Sequence, residues 1–429
     1  MAKKKSDNRA GSSAEDLQLL NFLPQRLNNV LAAEKVNDSI YCFRGFGNVS
    51  AVLTNEGLVL VDTGNANLAE RVKPELRKLS DKPVRYIIHT HGHLDHSGQS
   101  ARAFLEQGTE IVAHENVKAR FDRYREQASW QARINAWLYR GELIPRGQVV
   151  LDERTIDPAY PTITYRDEYS FALGRLTFQL FHAKGETDDH TVVWVPEERA
   201  AFTGDLLIAG FPNIGNPLKV LRYEKEWYEA LEKILALEPS IVVPGHGAPL
   251  LGREAIREVL EPNIEVLRFL HEQVVWHLNR GSTLEQMLAE IELPQHLAEN
   301  PHLRTFHGCR EFTIRGIYRR YGGWLEDMNA TSLFPAPKQE VAGLIAEMCG
   351  GSEKMLAKAS ELMEQGRCQL GLHLVDMVID ADRRNRRAHL LKAAMLEKIP
   401  ENNPLLPIFL ARNVYLGQAA RERKLAESD

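Results

Sequence analysis

The sequence predicts an α/β sandwich followed by an all-α region. Between Ile40 and Leu251, short apolar runs of strand character alternate with helical periodicities in two successive halves. The strand-like run Val84–Ile88 opens directly onto His89-Thr-His91-Gly-His93-Leu-Asp95-His96. After Glu261 strand signals vanish and helical spacing continues to the end.

Residues 1–24 are polar and predict a disordered tail. The first half then reads as strands at Ile40–Phe43, Ser50–Leu53 and Leu58–Asp62, with Asn55-Glu56-Gly57 as a hairpin turn. Asp62-Thr63-Gly64 closes the third strand, and a helix follows with Leu68, Val72, Leu76 and Leu79 on one face. A helical pattern over 100–107 precedes the strand Glu110–Ala113. Residues 117–139 read as one long helix carrying Phe121, Tyr124, Trp130, Trp137 and Tyr139. Such an aromatic stripe is first of all core, and secondly the roof of an apolar channel. The second half predicts strands at Ile163–Tyr165, Leu176–Phe181, Thr191–Val195, Ala200–Thr203 and Ile241–His246.

In the C-terminal part Leu356, Ala359, Leu362 and Met363, then Leu370, Leu374, Val375 and Val378, then Ala388, Leu391 and Ala394 mark three helices. Gly366 and the turn Asp380–Asn385 separate them. They resemble a tetratricopeptide-like stack, and one such unit is too few for an independent array. Packing against a second subunit is expected; a helical cap on the same chain is the alternative. The expected divisions are 1–24, 25–262, 263–294 and 295–427: a tail, the sandwich domain, connecting helices and the helical domain.

Composition narrows the function classes. The 429 residues carry a net charge of −5, with 44% hydrophobic and 26% charged residues, values of an ordinary globular protein rather than a nucleic-acid binder. No apolar run is long enough to span a bilayer. The basic start Met1-Ala-Lys-Lys-Lys lacks the apolar core of a secretion signal, and Cys42, Cys309, Cys349 and Cys368 are scattered, so a cytoplasmic location is expected.

His91, His93, Asp95 and His96 lie in a loop at a strand terminus, where alternate side chains can turn toward one point. Imidazole and carboxylate suit zinc and its neighbours. A His-rich surface loop would need neither the apolar strand before it nor the wedged aspartate. Three further junctions offer ligands beside glycine: Gly185-Glu186-Thr-Asp-Asp-His190, Phe202-Thr-Gly-Asp205 and Pro244-Gly-His246-Gly247.

Together with Asp62-Thr63-Gly64, these motifs in this order resemble the metallo-β-lactamase superfamily over about residues 40–251. The resemblance implies a four-layer αβ/βα sandwich with a dinuclear metal site on its upper edge. One departure is informative: most members carry a histidine where Glu186 stands. The alkylsulfatase branch also uses glutamate there. His307-Gly308, the run Tyr318-Arg-Arg-Tyr-Gly-Gly-Trp324 and Gly350-Gly351 resemble that branch as well, extending the likeness to about residue 425 and implying a dimerisation domain over 295–427. The sterol-carrier-like domain and secretion signal usual in that branch are not found in this sequence.

The resemblance implies one metal held by His91, His93 and Glu186, a second by Asp95, His96 and His246, and Asp205 as the bridge. His190 competes with Glu186 for its place. Three carboxylates make the site harder than an all-histidine one; zinc is favoured, with manganese and iron as alternatives. Paired ions about 3.5–4 Å apart can deprotonate water near neutral pH and neutralise an anionic ester.

Asn213 stands where alkylsulfatases place a sulfate-binding asparagine. The arginine expected a few residues later is replaced by Leu218, leaving Lys219 and Arg222 as candidate cations, whose plainer reading is a solvated helix start. His307 resembles the general acid, and Tyr318 a substrate contact; each is otherwise a structural core residue. With Asp95 these form the candidate catalytic set. The function expected is an alkylsulfatase-like hydrolase acting on a small anionic ester as a homodimer. The same metal site would serve a phosphoester, lactone or thioester hydrolase. A redox diiron protein or an inactive binding module is disfavoured by His93 and by the complete ligand set.

Overall fold

The computed structural model describes residues 33–151, 157–208, 210–402 and 408–427. The expected tail 1–24 lies outside them. Two compact units emerge: one of Met1–Arg125, Glu153–Ala209 and Tyr223–Leu267, the other of Glu126–Asp152, Gly210–Arg222 and Arg268–Asp429.

The first unit is built on two sheets. Seven strands follow in sequence order, β1 (Glu34–Lys35), β2 (Ile40–Phe43), β3 (Val49–Leu53), β4 (Leu58–Val61), β5 (Val84–Ile88), β6 (Glu110–His114) and β7 (Ile163–Tyr165). Six more, β8 (Glu168–Leu173), β9 (Leu176–His182), β10 (Thr191–Val195), β11 (Ala200–Gly204), β12 (Ile241–Pro244) and β13 (Leu250–Leu251), are ordered β13-β12-β11-β10-β9-β8. Their inner faces share one core: Ile40, Val52, Val59 and Ile88 from the first sheet meet Leu176, Phe178, Val193 and Val243 from the second. The outer face of the first sheet buries Leu58, Leu60 and Ile87 against Leu68, Val72 and Leu76 of the helix Ala66–Leu79. That two-sided burial explains why β4, β10, β11 and β12 read as unbroken apolar runs rather than alternating ones.

Strand direction positions the site. β4, β5 and β6 are parallel. β11 and β12 are parallel, and β9 runs with them because each is antiparallel to β10 or continues that sense. The loops after β4 and β5, and those after β9, β11 and β12, therefore each leave their sheet at one edge.

Several sequence-based elements differ. The pattern over 100–107 is a 3₁₀ segment, Gly98–Phe104. The single helix expected over 117–139 is two, Asn116–Glu126 and Ala128–Arg140, broken at Gln127 (φ −106°, ψ 23°). The strand β8 was unread because Glu168-Tyr-Ser-Phe-Ala-Leu173 is only half-buried; its partner is β9 across Gly174-Arg175.

The second unit is helical. Lys338–Met348, Ser352–Glu364, Cys368–Ala381, Arg386–Asn402 and Phe409–Glu427 surround a core including Leu356, Ala359, Val375, Val378, Ala393, Met395 and Ala419. Leu370, expected on the buried face, is 45% exposed, and Leu372 is buried instead. Val375 and Val378 are buried and Leu374 packs against the core, as the spacing implies, so the departure is confined to the first turn of the helix Cys368–Ala381. The stretches 126–152 and 210–222 group with the helical unit. The reason is packing: Leu138 is buried with Cys309, Ile408 and Leu410. Trp137 Nε1 donates to Val414 O (3.1 Å) and Asn413 Nδ2 to Leu138 O (2.8 Å). Phe211 N donates to Arg304 O (2.9 Å). These partners lie far apart in sequence, so no local pattern announces them.

Candidate metal centre

β4 is followed by Asp62, whose left-handed backbone (φ 59°) turns its carboxylate inward. There Asp62 Oδ1 accepts from Thr90 N (2.7 Å), and Oδ2 accepts from Thr90 Oγ1 (2.7 Å) and pairs with His96 Nδ1 (3.0 Å). An imidazole whose Nδ1–H is held this way presents Nε2 as a donor atom, the arrangement that orients metal-binding histidines. β5 delivers the loop of His91, His93, Asp95 and His96; β9 is followed by Glu186, β11 by Asp205 and β12 by His246. Gly204 at the β11 end has φ 47°, and a Cβ there would stand 2.6 Å from Thr90 Oγ1 and 2.8 Å from His190 Nε2, so only glycine admits the turn that aims Asp205.

The side chains converge in two groups: His91, His93, Glu186 and Asp205, and beside them Asp95, His96 and His246. In the first, His91 Nε2 is 2.9 Å from His93 Nδ1 and 3.9 Å from Glu186 Oε2, while His93 Nδ1 is 3.4 Å from Glu186 Oε2. In the second, His96 Nε2 is 3.2 Å from His246 Nε2, and Asp95 Oδ2 lies 3.6 and 3.5 Å from those two nitrogens. Asp205 faces both groups. Its Oδ2 is 3.7 Å from His91 Nε2, and its Oδ1 is 3.1 Å from His96 Nε2 and 3.2 Å from His246 Nε2.

These spacings test the fit of a metal. Two ligand atoms on one tetrahedral ion with bonds of about 2.0–2.1 Å lie about 3.3 Å apart. The separations in both groups bracket that value. Ring nitrogens facing one another and carboxylate oxygens, buried together, are acceptors without enough hydrogens to share; a cation between them resolves this. The electrostatics point the same way. Burial opposes charge on His96, yet Asp205 and Asp95 hold its pKa well above the usual histidine value. Burial pushes His91 well below that value, outweighing Asp205. Asp205 itself, despite burial, is held well below the carboxylate range by His246 and His96. The donor set fits two divalent ions.

His190 takes no place in either group. Its ring stacks on His91 (centroids 4.9 Å apart, 16° between planes), and burial pushes its pKa down to about 3. Glu186, rather than His190, is the side chain that lies with His91 and His93.

Asn213, Lys219, Arg222, His307 and Tyr318 all fall in the helical unit. Asn213 is buried, and its Oδ1 meets no hydrogen-bond partner among the described residues. Gly308 packs on the same segment, since a Cβ there would lie 2.2 Å from Pro212 O; the backbones around Asn213 and His307 are therefore in direct contact. Lys219 Nζ donates to Asn135 Oδ1 (2.5 Å), and Arg222 is buried. The Tyr318 hydroxyl donates to Leu325 O (3.2 Å), as a core tyrosine would, and burial raises its pKa. The aromatic stripe divides: Phe121 and Tyr124 are buried, Trp137 and Tyr139 are partly buried, and Trp130 is exposed.

Sequence reasoning missed a supporting layer. Asn48 Nδ2 donates to Pro244 O and Gly247 O (both 2.9 Å), clasping the His246 loop. Arg120 and Asp189 form a buried ion pair behind His91 and His93. Asp189 follows Glu186 by three residues, a carboxylate pair, Asp188-Asp189, in a loop already singled out; its partner on a separate helix left no local signal.

Comparison with known proteins follows this geometry. The family model described as metallo-beta-lactamase superfamily matches residues 42–246, and that of alkyl sulfatase dimerisation matches 283–424. A linear primary-alkylsulfatase of Pseudomonas sp. is 28% identical over 80% of this chain and 68% of its own length. An alkyl/aryl-sulfatase of Saccharomyces cerevisiae is 23% identical over 87% of this chain and 62% of its own. The solved structure of a stereoselective inverting sec-alkylsulfatase from Pseudomonas sp. superposes with a TM-score of 0.80 at 22% identity, covering 94% of this chain and 66% of that one. The chain thus spans roughly two thirds of the length of these relatives. With both family models in sequence order and the fold matched along nearly its whole length, the chain belongs to the metallo-beta-lactamase superfamily, in its alkylsulfatase-like branch.

Proposed function

We propose that this protein is a dinuclear metal-dependent hydrolase of sulfate esters. The observation that carries the reading is the pair of donor groups shared by Asp205. His91, His93 and Glu186 would hold one ion, Asp95, His96 and His246 the other, with Asp205 between them. Two divalent ions there, zinc first and manganese or iron as alternatives, supply Lewis acidity and bring the pKa of water toward about 7. The chain's own groups orient and protonate. Asp62 holds the His96 ring in place. Asn213, with Lys219 or Arg222, would bind the anionic sulfate, His307 would protonate the departing alkoxide, and Tyr318 would contact the ester. A sulfate ester needs both a cationic clamp and help for its basic leaving group. The relatives named as alkylsulfatases support that substrate class.

A hydrolysis screen with decyl sulfate, a phosphomonoester, a lactone and a thioester, read with metal-loaded and EDTA-treated protein, tests the proposal. Sulfate release from decyl sulfate that EDTA abolishes is expected. Turnover confined to another ester class would overturn the substrate assignment, and turnover indifferent to EDTA would overturn the metal centre.

The proposed assembly is a homodimer through the C-terminal helices. Val341, Leu344 and Met348 form an exposed apolar stripe on the helix Lys338–Met348, near Phe334 in sequence, and the dimerisation family model covers this region. A light-scattering mass of one chain at micromolar concentration would rule it out. The four cysteines are unpaired, which supports a reducing, cytoplasmic setting. No helix among the described residues is long and apolar enough to cross a membrane.

A further inference from the structure

Behind the first ligand group lies an ion pair that none of the proposed chemistry uses. Arg120, on the helix Asn116–Glu126, is 4% exposed, and Asp189, in the loop between β9 and β10, is fully buried. Arg120 Nε donates to Asp189 Oδ2 (2.7 Å), and the other end of the guanidinium pairs with Asp188. Asp188 O in turn accepts from Asn116 Nδ2 (3.1 Å), one helical turn before Arg120. The same Asp189 Oδ2 accepts from the backbone N–H of Gly92 (3.1 Å), the peptide between His91 and His93. Contact is close enough to require glycine: a Cβ at residue 92 would stand 2.7 Å from Arg120 Cδ and 2.8 Å from Asp189 Oδ2.

We propose that Arg120 and Asp189 are positioning residues for the first metal position, clamping the His91–His93 loop to the loop that carries Glu186. The three terminal ligands of that position sit on only two loops. Asp189 belongs to one and hydrogen-bonds the other, so one carboxylate sets the separation between Glu186 and the two imidazoles. Arg120 fixes that carboxylate from a rigid helix. In the second position His96 is held directly by Asp62 and the His246 loop by Asn48, and Asp62 reaches the first position only through Thr90 Oγ1, 3.0 Å from His91 Nδ1. The clamp therefore acts on one ion selectively. Outer-layer partners of this kind commonly govern metal affinity by about 10–100-fold.

The inference rests on the dinuclear reading, and its test separates the two. Metal content and zinc affinity are measured by chelator competition for the wild-type protein, Arg120→Lys, Asp189→Asn, and a core variant, Val72→Ala, that lowers stability away from the site. Arg120→Lys keeps the charge but loses the fork, and Asp189→Asn keeps an acceptor for Gly92. Both are expected to bind one zinc about 10–100-fold more weakly while the other is unchanged; Val72→Ala is expected to keep both affinities. A wild-type protein that binds no metal sinks the dinuclear reading itself. Two unweakened zincs in both clamp variants, or equal weakening at both positions, overturns the clamp alone. Loss of cooperative unfolding in both clamp variants also overturns it, because the pair would then be a folding element rather than a positioning one.

Discussion

At the strand ends of the sandwich, four imidazoles and three carboxylates crowd together within ligand distance of one another. The helical unit also buries a polar network, yet there each donor meets an acceptor. His389 Nδ1 lies 2.5 Å from Glu422 Oε2, and its Nε2 lies 3.0 Å from Arg383 O. Lys392 Nζ lies 2.8 Å from Asp376 Oδ1 and 3.4 Å from Glu422 Oε1. Burying charge is tolerated where it is paired and hydrogen-bonded. The helical network meets that condition with its own protons. The strand-end cluster meets it only with cations, or with protons borrowed in their place, which is why His96 is drawn so far above the ordinary histidine range. The difference separates a polar group that stabilises from one that binds.

Removing the shared carboxylate breaks the comparison most directly. Asp205→Ala should lower kcat by at least about a thousandfold, several kcal/mol of lost electrostatic stabilisation, and should reduce bound metal. Steady-state kinetics and elemental analysis check this, and full turnover would show that Asp205 bridges nothing. In the helical core, Leu356→Ala should cost about 2–5 kcal/mol in chemical denaturation, because Leu356 is fully buried, while leaving metal content unchanged. A variant that loses metal as well would mean the two regions are not independent. Asp62→Asn, which weakens the hold on His96, should reduce affinity at the second position by about 10–100-fold in a chelator titration.

The smallest effect is a pH signature. In metal-free protein His96 is raised, so its stabilisation is complete below the unfolded pKa of about 6.5 and fades as pH climbs through the folded value. His91 and His190 are lowered, so the unfolded chain takes up more protons below about pH 6.5 and stability falls on acidification. The melting temperature of EDTA-treated protein should therefore be highest near neutrality and decline on the alkaline side. Added zinc should remove the alkaline decline, since metal replaces the proton. An unchanged alkaline limb with zinc bound would contradict the assignment of His96.

Much of this was readable from the chain. The strand Val84–Ile88 announced the loop that follows because its buried Val84, Ile87 and Ile88 run straight into a sudden cluster of histidines. The candidate ligands Glu186, Asp205 and His246 were legible because each sits beside glycine after a strand. Arg120 was not, since an arginine on a helix reads as solvated until Asp189 is seen beneath it. Strand β8 escaped notice because half-burial blurs alternation. Leu370 was misread as core because apolar spacing is least informative at the end of a helix, where Leu372 takes the buried place.

By itself, the amino-acid order determined the succession of strands and helices, the residue types able to grip a cation and the place where strands give way to helices. These follow from local apolar spacing and from glycine at turns. Only the tertiary structure decided that Glu186 rather than His190 joins His91 and His93, that Asp205 faces both groups, and that 126–152 and 210–222 group with the C-terminal helices. Those outcomes depend on which side chains meet across long stretches of chain, as His96 and His246 do, and spacing along a chain does not encode distance through space.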